Sequence, residues 1–101
     1  MKLKLCNLSD VPVEGSILVP FFGREVHVYR VGNSYRAAAN VCLHFGGPLE
    51  RRSGHFVCPW HGASYDMESG DRLSGPSPKA SKLMFLATKK DDDALYYVWG
   101  D

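Results

Sequence analysis

The sequence predicts an all-β domain, an antiparallel sandwich or barrel, for three reasons. No segment sustains the 3.6-residue apolar period of an amphipathic helix. Several short segments alternate polar and apolar residues, as half-buried strands do, and residues 25–30 alternate strictly. Glycine, proline, asparagine and aspartate separate these segments at the close intervals that are typical of hairpin turns.

Length and composition predict a single domain over residues 1–101. The chain is 45% hydrophobic and 23% charged, and it contains no repeat or linker. Its 12 basic and 11 acidic residues give a net charge of +1, which offers no strong field for nucleic acid or an anionic membrane. The first residues lack the long apolar run of a signal peptide, and three cysteines suit a reducing compartment. We therefore expect a soluble, cytoplasmic protein.

The predicted strands follow one another with turn chemistry between them. A turn or a single helical turn is expected at 7–12, a turn at 51–54, an irregular connection at 74–78, and a charged hairpin loop at 89–94. Three of the strands form a meander that ends just before Cys42. The predicted strands are residues 2–6, 16–22, 25–30, 35–41, 55–57, 64–67, 83–88 and 95–99.

Two Cys/His pairs lie on loops in the middle of the chain and predict a metal site within residues 41–66. Cys42 and His44 form a C-x-H pair, and Cys58 and His61 form a C-x-x-H pair. Glycines follow each pair and allow a close approach of the backbone. Soft thiolate and borderline imidazole donors brought together in this way are typical of a metal site. The third cysteine, Cys6, has no Cys or His neighbour and is expected to be an ordinary strand residue.

The mixed composition of each pair favours a binuclear iron–sulfur centre. Zinc fingers usually place two cysteines together as C-x-x-C and group the histidines separately, although zinc stays an alternative. If one iron takes both thiolates and the other takes both imidazoles, each loop supplies one ligand to each iron. That ligand arrangement is a Rieske centre.

The chain resembles the Rieske [2Fe-2S] proteins, and most closely their small soluble ferredoxins. The resemblance is carried by Cys42-Leu-His44, by Cys58-Pro-Trp-His61-Gly, by the following Tyr65-Asp66, and by the proline-bearing residues 75–78. It implies a Rieske-type sandwich or barrel with a small cluster-binding subdomain of two hairpin loops. It further implies that Cys42 and Cys58 bind one iron, that His44 and His61 bind the other, and that residues 74–78 form a proline loop over the cluster.

Departures from the Rieske subunits of respiratory complexes predict a low reduction potential. The two cysteines that form a loop-joining disulfide in those subunits are matched here by Gly47 and Trp60. Ala63 stands where those subunits carry a serine that donates a hydrogen bond to the cluster, whereas the corresponding tyrosine is retained as Tyr65. A missing donor leaves the more negative reduced cluster less stable, so the potential falls.

The resemblance implies a one-electron carrier with no catalytic residues of its own. Such a protein would pass electrons from an NAD(P)H-dependent reductase to a terminal oxygenase of an aromatic-ring-hydroxylating system, binding both transiently as a monomer. Apolar residues beside the ligands would cap the cluster or offer partners a docking patch: Leu43, Phe45, Pro59 and Trp60. The alternatives are a small subunit of assimilatory nitrite reductase and a zinc-binding structural module.

His27 and His55 are expected to be surface or packing histidines, and Arg51-Arg52 a polar turn.

Overall fold

The computed structural model describes residues 1–40, 48–52, 54–59, 62–75 and 82–100, and these form a nearly all-β structure. A single-turn 3-10 helix, Leu8–Asp10, occupies the predicted first turn. The strands are β1 Lys2–Asn7, β2 Ser16–Phe21, β3 Arg24–Val31, β4 Ser34–Ala39, β5 Glu50–Arg52, β6 His55–Val57, β7 Ser64–Asp66, β8 Arg72–Ser74, β9 Thr88–Asp91 and β10 Ala94–Val98.

The described strands form three antiparallel sheets, which confirms the predicted fold class. Strands β1, β10 and β9 form one sheet in that order, and the predicted meander forms the second, in the order β2-β3-β4. The third sheet, β5-β6-β7-β8, is built from consecutive antiparallel neighbours. Cys6 lies half-buried on β1, as expected for a strand residue.

Strand β3 is buried on both faces because the meander is the middle layer of the molecule. Val26 and Val28 pack in one hydrophobic core with Leu5 and Leu95 of the β1-β10-β9 sheet. Tyr29, on the opposite face, packs in a second core with residues of the β5–β8 sheet. Strict alternation indicated a half-buried strand, but it equally fits a strand whose two faces meet different layers.

Three local predictions need correction. Residues 51–52 are not a turn, because Arg51 and Arg52 pair with Phe56 and His55 across the β5-β6 ladder. The charged loop predicted at 89–94 is shorter, because residues 88–91 form β9 and the turn contains only residues 92–93, with Asp92 at φ +54°. The strand predicted at 83–88 is wrong over residues 83–87, which belong to no named strand and in which Phe85 makes only an isolated bridge to Ala38; its last residue, Thr88, begins β9. Strand β8 was not predicted.

The shift of the last hairpin has an electrostatic and a topological cause. Strand β10 is the central strand of its sheet, so Lys89, Lys90 and Asp91 gain a ladder partner in β10. Lys2, on the opposite edge strand β1, donates a 2.7 Å hydrogen bond to the Asp91 carboxylate, which lowers the pKa of Asp91.

In the part of the chain that the structure describes, no helix has the length and apolar character needed to cross a membrane.

Candidate metal centre

Cys58 is the one predicted ligand among the described residues, and it is completely buried at the end of β6. It belongs to the core of the β5–β8 side, together with Phe56, Ala63 and Tyr65. Alternation along the chain places Phe56 of β6 on the same face as Cys58, the residue that follows β6. The packed Phe56 ring therefore fixes the strand that leads to the thiol. The thiol is therefore shielded from water, as a cluster ligand needs to be.

Backbone hydrogen bonds connect Cys58 to Gly62 and Ala63. The Gly62 amide donates to the Cys58 carbonyl at 2.8 Å, and the Cys58 amide donates to the Ala63 carbonyl at 2.8 Å. Gly62 has φ +79°, a conformation that costs glycine little and other residues more. Pro59 is exposed.

The other three predicted ligands, Cys42, His44 and His61, lie outside the described residues, as do Leu43, Phe45, Gly47 and Trp60. Among the described residues, no three His, Cys, Asp or Glu side chains lie close enough together to bind a metal ion. The described part of the chain therefore offers no rival metal centre, and the four-ligand set stays a prediction.

His27 is buried, and both of its ring nitrogens are hydrogen-bonded. Its Nδ1 lies 2.9 Å from the Ser16 hydroxyl, and its Nε2 lies 3.0 Å from Asn40 Oδ1 and 2.9 Å from the Leu49 carbonyl. The Leu49 amide donates to the same Asn40 oxygen at 2.8 Å. The expectation of a packing histidine was therefore incomplete, because the partners come from residues 11, 13 and 22 positions away in sequence.

The environment of His27 makes a pH-dependent contribution to stability. Burial lowers its pKa below the ordinary value of 6.5, an effect partly offset by the hydrogen bonds to Leu49 and Asn40 and by the charge of Glu25. A depressed pKa means that the unfolded state binds the proton more tightly, so stability is lost as the pH falls below about 6.5.

We expect the melting temperature of the wild-type protein to fall more between pH 7.5 and 5.5 than that of His27→Gln. The reason is that glutamine keeps an N–H donor and cannot take up the proton. Scanning calorimetry of both proteins at the two pH values measures the difference. Equal falls in the two proteins would show that His27 is not the group responsible.

Gly75, where the predicted proline loop begins, lies directly against the backbone that follows His61. A Cβ atom at Gly75 would come within 2.4 Å of the Ala63 Cα, and Gly75 has φ +102°. Ser64 and Ser74 share a 2.7 Å hydrogen bond beside this contact, and Arg72 donates to the Gly75 carbonyl at 3.0 Å. Residues 76–80 lie outside the described residues, so the covering role of the loop stays a prediction.

The described surroundings of Cys58 fit one corner of an iron–sulfur site. The Cys58 side chain is completely buried, Ala63 in the same core carries no side-chain oxygen donor, and Tyr65 is buried down to the hydroxyl oxygen. A buried thiol in an apolar core suits the soft, shielded coordination that iron–sulfur clusters use. The remaining donors in the sequence, one thiol and two imidazoles, complete a Rieske set.

Comparison with protein families and known sequences agrees with this donor set. The profile of the Rieske [2Fe-2S] domain matches residues 1–89. The cytochrome b6-f complex iron-sulfur subunit 2 of Cyanophora paradoxa is 33% identical over 61 residues, 58% of this chain and 25% of that protein. Apoptosis-inducing factor 3 of Mus musculus is 27% identical over 70 residues, 66% of this chain and 12% of that protein. The chain thus spans a quarter or less of these relatives.

Solved structures share the fold at low sequence identity. The ferredoxin of Sphingomonas yanoikuyae B1 aligns with a TM-score of 0.81 and 20% identity over 99% of this chain and 100% of that one. A chain of the reduced oxygenase–ferredoxin complex of carbazole 1,9a-dioxygenase aligns at 0.79 and 18% identity, over 99% and 28%. A structure described as a nitrite reductase NADPH small subunit aligns at 0.69 and 20% identity, over 98% and 99%.

Proposed function

The chain belongs to the Rieske [2Fe-2S] domain family, whose cofactor is a Rieske-type [2Fe-2S] cluster, and on that premise we propose that it is the ferredoxin of an oxygenase system. In this role it takes single electrons from an NAD(P)H-dependent reductase and delivers them to a terminal Rieske oxygenase that hydroxylates aromatic rings. The supporting observation is the alignment with the Sphingomonas yanoikuyae ferredoxin over nearly the whole length of both chains. The protein acts in the cytoplasm, as a monomer, and has no catalytic activity of its own.

The chain's own residues hold and shield the cofactor in this proposal. Cys42 and Cys58 would hold one iron, and His44 and His61 would hold the other. The buried position of Cys58 excludes water on one side, and exposed Pro59 belongs to the face that partners approach. When bound, the cluster supplies reversible one-electron transfer.

We expect the lack of a hydroxyl group at Ala63 to lower the reduction potential of the cluster. Ala63→Ser is expected to raise the reduction potential by roughly 60 mV, the equivalent of one tenfold change in a one-electron equilibrium, because a new hydroxyl donor favours the reduced state. Potentiometric titration monitored by electron paramagnetic resonance (EPR) measures this shift. Ser64→Ala, one residue further along the chain, is the matched control and should leave the potential unchanged. An unchanged potential in Ala63→Ser would refute this role for Ala63.

A gene deletion distinguishes the proposed role from its main alternative, a nitrite reductase small subunit, which the alignment at a TM-score of 0.69 favours. Deletion in the source organism is expected to abolish oxygenase-dependent growth on aromatic compounds and to leave growth on nitrite as the nitrogen source intact. Complementation with the wild-type gene should restore growth, and complementation with Cys58→Ser should not. Loss of growth on nitrite alone would overturn the ferredoxin assignment.

Metal analysis addresses the zinc alternative. Protein purified anaerobically is expected to contain iron and acid-labile sulfide in equal amounts and no stoichiometric zinc. Stoichiometric zinc that persists after anaerobic reconstitution with iron and sulfide would make the chain a structural module.

A further inference from the structure

We propose that His27 is a positioning residue for the metal centre. Its ring is hydrogen-bonded to both Asn40 and Leu49, which flank residues 41–47, the segment that carries the predicted ligands Cys42 and His44. The inference rests on the proposed function, because it has consequences only if those two residues bind the cluster. It concerns a side chain on β3 that has no place in the ligand motif.

The hydrogen bonds around His27 determine its tautomer. Asn40 Oδ1 accepts from the Leu49 amide, which identifies that side-chain atom as the oxygen. The Leu49 carbonyl is also an acceptor, so the Nε2 atom that faces both oxygens must carry the proton and donate to them. Nδ1 of the neutral ring then accepts from the Ser16 hydroxyl. Every polar contact of the ring is satisfied in this single arrangement.

The ring also contacts the segment that leads to the second Cys/His pair. Its centroid lies 4.8 Å from that of Phe56, which is two residues before Cys58. One side chain therefore touches Asn40 and Leu49 on either side of residues 41–47 and the strand that ends at Cys58. Both contacts are made by the same imidazole ring.

His27 is itself held rigidly, which a positioning residue requires. It is 5% exposed, and it lies on the central strand of the meander, paired with Leu18 of β2 and Ala38 of β4. The backbone of Asn40 is fixed separately, because its backbone N–H donates a 3.1 Å hydrogen bond to the Glu25 carbonyl. The rigid middle layer thus holds the ring and Asn40, and Leu49 is attached to both by hydrogen bonds.

Removing the N–H donor of His27 leaves the Leu49 carbonyl and the Asn40 oxygen without that partner in an apolar site. The native arrangement of the two ends is weakened relative to locally opened states, whose population rises. Release of iron to a chelator proceeds through opened states when opening and closing are fast, so its rate follows their population. We expect about a tenfold faster release, which is the effect of losing one buried hydrogen bond.

The test compares four variants of the cluster-loaded protein by iron release to a chelator and by EPR of the reduced state. His27→Phe keeps a ring against Phe56 and removes both ring nitrogens. His27→Gln keeps an N–H donor near the Nε2 position, and Ser16→Ala removes only the contact at Nδ1. Val11→Ala is the control for general destabilisation, because Val11 packs in the other core.

The proposal expects His27→Phe to release iron about tenfold faster and to show shifted or broadened g-values. It expects His27→Gln and Ser16→Ala to stay within about twofold of the wild type, and Val11→Ala to lower the melting temperature with an unchanged EPR spectrum. Unchanged release and spectrum in His27→Phe would overturn the inference while leaving the proposed function in place. If His27→Phe does not fold, Asn40→Ala, which removes the shared acceptor, decides by the same criteria. Absence of a Rieske spectrum in the wild type would overturn the proposed function itself.

Discussion

Cys58→Ser is expected to yield a protein with no Rieske spectrum and no bound iron. The Cys58 side chain is completely buried at the end of β6, so a solvent molecule cannot easily take its place as a ligand. A serine hydroxyl is a poorer iron ligand than a thiolate and stays protonated at neutral pH. Absorbance, EPR and iron content of the anaerobically purified variant measure the effect.

Cys6→Ser is the matched control for this experiment. Cys6 is the other cysteine among the described residues; it is half-buried, and it lies on β1 against the opposite core. Burial raises the pKa of its thiol, and its place against the opposite core keeps it apart from Cys58. A normal cluster in Cys6→Ser and none in Cys58→Ser is the predicted pair of results. A full Rieske spectrum in Cys58→Ser would remove Cys58 from the ligand set.

Gly75→Ala is expected to destabilise the protein by roughly 3 kcal/mol and to make the cluster more sensitive to oxygen. A Cβ atom at this position would lie 2.4 Å from the Ala63 Cα, which is closer than non-bonded carbon atoms approach each other in proteins. Relieving such an overlap costs about 1–3 kcal/mol, and the positive φ of +102° adds to it. The backbone after His61 or the start of the proline loop must therefore move.

Gly32→Ala separates the two causes of that cost. Gly32 also has a positive φ, +60°, but a Cβ atom there meets nothing within 4 Å. Gly32→Ala should cost only the backbone term, about 1 kcal/mol, and should leave the cluster unaffected. Thermal melting and the rate of bleaching in air measure both variants. Equal behaviour of the two would show that the Gly75–Ala63 contact has no part in protecting the cluster.

Local sequence patterns predicted the fold class and most strands. The strict alternation of β3 and the glycine turns around it were sufficient for the meander, because adjacent antiparallel strands depend on local signals. The C-x-H and C-x-x-H spacing was sufficient for the family, which the match over residues 1–89 confirms. The complete ligand set and the division into one domain stay predictions.

Sequence reasoning failed where non-local contacts decide the structure. Residues 89–91 looked like part of a solvated loop, but β10 lies between β1 and β9 and offers them a ladder. His27 looked like an ordinary packing residue, since Asn40 and Leu49 become its partners only after the chain has turned back twice. Only the alternation of β3, which places His27 and Tyr29 on one face, pointed toward that network.

The most direct test of the central claim is EPR of the dithionite-reduced, anaerobically purified protein, with iron and sulfide measured on the same sample. The account predicts two irons and two sulfides per chain and an average g below that of clusters with four cysteine ligands, because imidazoles bind one iron. A sample that is EPR-silent after anaerobic reconstitution with iron and sulfide, or one with the higher average g of an all-cysteine cluster, would contradict it.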